Sequence, residues 1–119
     1  MKGILVNTEF CTGCHSCEVA CKKELGLPKG EFGIKLTEVG PWQWQGASDR
    51  TKDLKGKWEW LWTPILTNAC DMCADRVEQH KLPMCIQHCQ AWCMYYGEVE
   101  DLAKRITDDS TWVLMTNGN

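Results

Sequence analysis

Between residues 11 and 21 the chain reads CTGCHSCEVAC, with thiols at Cys11, Cys14, Cys17 and Cys21 and gaps of two, two and three residues between them. Four thiols this close constrain the fold more than any other feature. One tight loop and one helical turn must present them all to something. A second set follows at Cys70, Cys73, Cys85 and Cys89. It too opens on a two-residue gap and closes on a three-residue gap (CIQHC against CEVAC), but eleven residues separate Cys73 from Cys85. The chain therefore holds an imperfect internal repeat.

A high cysteine count means either a disulfide framework or a metal site. The chain has nine cysteines in 119 residues, an odd number. Thiols clustered at CxxC spacing would close only tiny loops, which adds little stability. The opening MKGILVNTEF has three consecutive strongly apolar residues and no twin-arginine pair, so no secretory leader is expected. Metal is the better reading. Two sets of four thiolates match two [4Fe–4S] cubanes, and the C-x2-C-x2-C-x3-C run is a known signature whose fourth cysteine serves the other cluster. Three thiolates on a tight loop reach three corners of one cube, and the fourth, a turn further on, points toward the second. On that logic Cys11, Cys14, Cys17 and Cys89 hold cluster 1, and Cys70, Cys73, Cys85 and Cys21 hold cluster 2. Zinc also takes four thiolates, but its sites usually combine two separated CxxC pairs.

Cys93, in CQAWCM, stands outside the repeat. It reads as a buried thiol packing near a cluster, or as an exchangeable ligand or redox-active thiol. With eight cysteines already assigned, His15, His80 and His88 are expected near the ligands or on the surface. His15 and His88 could donate toward cluster sulfurs, and Lys22 and Arg76 could act through charge.

Along the chain, Ile4, Leu5 and Val6 predict a first strand, His15 to Leu25 a helix ended by GLPKG, and FGIKLTEV a second strand. Trp42 and Trp44 are two apart, as are Trp58, Trp60 and Trp62, which is the period of one face of an extended chain. They predict a tryptophan-rich hairpin, inserted at about 40–63, with the polar GASDRTKDLKG at its tip. Its rings either fill the core and cover a cofactor or anchor a partner. CADRVEQH should be a short helix stopped before Pro83. EVEDLAKRI should be another, with Val99, Leu102 and Ile106 on one face, and TWVLMT a closing strand. The sum is one α+β domain over 1–119.

A net charge of −3, with both signs mixed along the chain, argues against nucleic acid. No apolar run reaches the ~20 residues of a membrane span. There is no G-x-G-x-x-G, P-loop or nucleophile motif, so the chain carries no recognisable substrate chemistry.

CTGCHSCEVACKKE resembles the first cluster motif in iron–sulfur subunits of the DMSO reductase family, electron-transfer partners of molybdenum or tungsten bis-pterin enzymes. CDMCADRVEQHKLPMCIQHCQAWCMYYGEVEDL resembles their last motif, with Asp75-Arg76, Pro83-x-Cys85 and Gly97-Glu98 in register. Ala20-Cys21-Lys22 fits these subunits better than bacterial ferredoxins, which tend to carry proline after the fourth cysteine. The likeness covers roughly residues 1–25 and 63–114. It departs in having cysteines for two clusters where those subunits typically hold four. Gln90 and Cys93 also stand where the family has proline and alanine, which suggests a divergent branch from strict anaerobes.

The resemblance implies a ferredoxin-like dicluster fold with pseudo-twofold symmetry. It implies an electron-transfer subunit that passes electrons to or from a large molybdenum or tungsten pterin catalytic subunit, with an external ferredoxin or other donor. A free-standing soluble dicluster ferredoxin is the alternative, and a zinc-stabilised interaction module a third reading. The expected location is the cytoplasm, with export alongside a signal-bearing partner left open.

Overall fold

A computed structural model describes residues 1–117 and is α+β. The last two residues of the expected domain lie outside the described residues. Strand β1 (Lys2–Asn7) is the middle of a three-stranded antiparallel sheet, flanked by β4 (Met94–Glu98) and β5 (Trp112–Met115) in the order β4-β1-β5. Its position explains the unbroken apolar run Ile4-Leu5-Val6, in which every side chain is buried. Ile4 and Val6 join the core that contains most of the cysteines, while Leu5 alternates to the other face. There α4 (Val99–Ala103) packs on β1 and buries Leu102.

Helix α1 (Ser16–Leu25) begins one residue later than predicted, because His15 takes a left-handed conformation (φ 64°) and turns the chain into the helix. Gly26, also left-handed, ends it. Beyond α1, Lys22 Nζ donates to the carbonyls of Pro28 (2.7 Å) and Glu31 (2.6 Å) and lies 4.5 Å over the Phe32 ring. Lys22 thus fastens the loop leading to the next strand.

Strands β2 (Ile34–Gln43) and β3 (Trp58–Leu66) form a separate antiparallel ribbon. The ribbon is longer than the expected insert. Its root, with Ile34 and Leu36, is buried in the core, and its register shifts between Val39 and Trp42, around the cis Gly40–Pro41 bond. Trp42 lies opposite Glu59, and Gln43 opposite Trp58. Directly paired residues share a face, so Trp42 and Trp44 occupy the face opposite Trp58, Trp60 and Trp62. The two tryptophan sets therefore do not form one stripe.

The remaining helices are short. Helix α2 (Ala74–Glu78) is a single turn entered through Met72 and Cys73, both at positive φ. Helix α3 (Met84–Gln87) follows Pro83, and neither it nor β4 is evident in the sequence. Strand β4 depends on a distant partner, β1, rather than on a local pattern. Helix α4 ends before Ile106, which is 45% exposed instead of joining Val99 and Leu102 on one face. Among the described residues no helix is long and apolar enough to cross a membrane.

Glu18 joins α1 to the ribbon. Its buried carboxylate accepts the Leu36 backbone N–H at 2.6 Å and lies 3.3 Å from Lys35 Nζ and 3.4 Å from His15 Nδ1. Glu18→Ala leaves a buried N–H unsatisfied and should cost about 1–3 kcal/mol. Glu18→Gln keeps an acceptor and should cost less. Anaerobic urea denaturation of the two variants checks this, and equal midpoints would refute the role given to the carboxylate.

Candidate metal centre

Cys17 and Cys21 sit one turn apart on α1 and face different cavities. Cys85 on α3 and Cys89 just after it do the same in the reverse sense. The first cavity is lined by Cys11, Cys14, Cys17 and Cys89 with Leu36, Pro64, Ala91 and Met94. The second is lined by Cys70, Cys73, Cys85 and Cys21 with Ile4, Leu25, Ile34, Leu66 and Pro83. Helix α1 packs on α3, so α1 sends one thiol to each cavity, and α3 with the residues just after it does the same. All eight cysteines singled out in the sequence are brought together in these two sets of four.

Close approach of backbone makes room for the thiols at two glycines. A Cβ at Gly33 would lie 2.4 Å from Cys21 Sγ, so only glycine lets the start of β2 come this near. Gly13, at φ 73°, lies under the Trp62 ring, which a Cβ would meet at 2.6 Å. Trp62 also meets the His15 ring edge-on at 5.6 Å. One ribbon tryptophan thus clamps the loop that carries Cys11 and Cys14.

The backbone presents donors to the sulfurs. Met72 N–H lies 3.4 Å from Cys70 Sγ, and Met84 N–H lies 3.4 Å from Cys73 Sγ. Such bonds favour the thiolate. Burial opposes them and dominates inside the cavities. It raises the Cys17 thiol from 9.0 to about 12 and Cys21 to about 11, and Cys85 also moves up. Cys11 goes the other way, to about 6, chiefly through the thiol of Cys93.

Cys93 is the residue whose place the sequence left open. It is buried, lines the first cavity as a fifth thiol, and its Sγ lies 3.7 Å from that of Cys89. Its spacing of four from Cys89 hints at this neighbourhood. His15 is exposed at the mouth of the first cavity, while His80 and His88 are exposed and outside both. Arg76 is structural: its guanidinium donates to the Leu82 carbonyl (3.0 Å) and to the Gln87 side chain, tying α2 to α3.

The donor set fits iron–sulfur clusters, with four soft thiols and apolar walls around each space. Among the described residues no three His, Cys, Asp or Glu side chains converge closely enough for a single metal ion.

Residues 56–99 match the family model of the 4Fe-4S dicluster domain. That segment includes Cys70, Cys73, Cys85, Cys89 and Cys93 but not the first cysteine run. A protein of Halobacterium salinarum, named as an iron-sulfur subunit of dimethyl sulfoxide reductase, is 37% identical over 38 residues, which cover 32% of this chain and 14% of that protein.

In the iron-free, reduced chain, thiols held above their ordinary value by burial contribute stability below about pH 9. That contribution is lost as pH rises through the raised values of Cys17 and Cys21. Cys11 has the opposite sign, its contribution being present at high pH and lost toward about 6. The buried thiols outnumber it, so the urea midpoint of the apoprotein should fall between about pH 8 and about pH 10.5. A constant or rising midpoint would contradict this balance.

Proposed function

We propose that the chain is an electron-transfer subunit carrying two [4Fe–4S] clusters, and that it exchanges electrons with a large molybdenum or tungsten bis-pterin catalytic subunit. The division of eight thiols into two sets of four around two apolar cavities carries this reading. Cys11, Cys14, Cys17 and Cys89 would hold cluster 1, and Cys70, Cys73, Cys85 and Cys21 cluster 2. Each cluster, when bound, supplies a site that accepts and releases one electron.

The chain's own residues do the rest. Leu36, Pro64, Ile34 and Leu66 exclude water from the cavities. The N–H groups of Met72 and Met84 meet sulfurs that become thiolate on ligation, which raises a potential. The reciprocal use of α1 and α3 supports a pseudo-twofold, ferredoxin-like arrangement over a single domain. The location this reading favours is the cytoplasm, where free thiols stay reduced before they are ligated, with export alongside a signal-bearing partner as the alternative.

The match to a 4Fe-4S dicluster domain supports the cofactor, and the name of the halobacterial protein supports the partner class. Exposed Trp58 (66%) and Trp60 (62%) support a lasting protein partner over a free carrier.

Anaerobic purification should yield a brown protein absorbing at about 400 nm, with about eight irons and eight sulfides per chain. Cys17→Ser and Cys85→Ser should each remove about half of that content. Zinc without sulfide would overturn the reading. A tagged chain drawn from its host should bring a molybdenum or tungsten protein with it; recovery as an iron-loaded chain alone would make it a mobile ferredoxin instead.

A further inference from the structure

An open groove of about 640 Å3 runs between the ribbon and the loop before β5. One wall carries Trp60 and Trp62. The other carries Asp108, Asp109 and, from the turn after β1, Glu9. Cys11 and Thr12 form part of its lining and also line the cavity of cluster 1. No residue of the groove lines the cavity of cluster 2. A molecule seated here would therefore be one residue's thickness from cluster 1.

The groove's charge is unbalanced. Among the described residues no lysine, arginine or histidine forms an ion pair with Glu9, Asp108 or Asp109. Internal hydroxyls meet two of them: Ser110 donates to Glu9 at 2.5 Å, and Thr107 donates to Asp109. Carboxylates beside exposed indole faces form a surface that recognises cations, by charge from one wall and by cation–π attraction from the other.

We propose that this groove is the docking site of the electron-exchange partner, that its occupant is a lysine- or arginine-bearing segment of that partner, and that cluster 1 is the terminal through which electrons cross. This rests on the assignment of cluster 1 above. Trp60 is placed for the role: its indole N–H donates to Glu38 at 2.7 Å, which fixes the ring while leaving it exposed.

The test uses anaerobically loaded, reduced full-length protein and two one-electron oxidants. Tris(phenanthroline)cobalt(III) is cationic and aromatic, and becomes cobalt(II) on taking an electron. Ferricyanide is anionic. Stopped-flow recovery of the cluster absorbance at about 400 nm, which reduction bleaches and one-electron oxidation restores, gives both rates. Glu9→Gln/Asp108→Asn/Asp109→Asn should slow oxidation by the cobalt cation about tenfold at about 20 mM salt, with the difference collapsing at about 0.5 M. It should not slow oxidation by ferricyanide. Trp60→Ala should also slow the cobalt reaction selectively. A control with the same charge change elsewhere, Asp49→Asn/Asp53→Asn/Glu100→Gln, should have a much smaller effect.

Equal slowing by the control and groove variants would reduce the effect to net charge and overturn the proposal. So would unchanged rates in the groove variants, or a loss with Trp60→Ala alone, which would mean an apolar occupant. Full cluster content in every variant separates these failures from failure of the underlying reading. That second failure would show instead as wild-type protein with no sulfide and no absorbance change on oxidation.

Discussion

One helical turn sets the scale of this protein. Four residues of α-helix rise roughly 6 Å, so thiols at i and i+4 share a face while standing a turn apart along the axis. On α1 that pair is Cys17 and Cys21, and each reaches a different cavity. Cys85 and Cys89 repeat the arrangement in reverse, and the packing of α1 on α3 interlocks the two. The spacing of the cavities is therefore set by one turn of α1 and by the turn that carries the chain from α3 to Cys89. The other elements serve this pair. Strand β1 backs the cavities with Ile4 and Val6, Glu18 fixes α1 to β2, and Arg76 fixes α2 to α3.

The sequence made the thiol sets legible because spacing of two, two and three has few physical uses. It also made β1 legible, because a strand with neighbours on both edges and cover on both faces must be continuously apolar. It could not reveal β4 or α3. Tyr95 and Tyr96 become strand residues only by pairing with Leu5 and Ile4, some ninety positions away in the chain. Residues Met84–Gln87 are too few to show a period of their own. The expected face through Ile106 failed because α4 is a single turn, too short to bring a third apolar residue around to the sheet. For Lys22 and Arg76 the sequence allows a charge acting on a cluster or a solvated side chain. Each holds a backbone carbonyl, and the Arg76 charge also favours the thiolate of Cys73, a pairing that composition alone cannot reveal.

The tryptophans show how far period two reaches. The spacing within each set correctly implies one face of one strand. Whether two sets share a face depends on register, and a shift at Gly40–Pro41 sets the relation between Trp42 and the β3 tryptophans. Burial of these rings then divides along a single strand. Trp62, at the buried end of β3, clamps Gly13 and the Cys11–Cys14 loop. Trp58 and Trp60, nearer the tip, remain exposed. A strand that leaves the core at a steady rate per residue produces this gradient without any change in residue type.

The two cavities are alike in thiol count and unlike in surroundings. Cys85, Cys21, Cys70 and Cys73 are all buried, and their walls are mainly aliphatic. Around the first cavity Cys14 is exposed, Cys11 and Cys89 are half-buried, and Cys93 adds a fifth thiol. Solvent exposure and hydrogen bonds to sulfur are both levers on the potential of an iron–sulfur cluster. A buried site disfavours added negative charge, while donors and nearby water favour it. Two clusters bound here would therefore differ in potential even with identical ligands. The more exposed site, beside the acidic groove, would be the one whose potential changes when a cationic partner docks, because a positive segment at Cys11 stabilises the reduced, more negative cluster. Docking and electron transfer would then be linked through one short stretch of chain, Cys11–Thr12, which lines both the cavity and the groove.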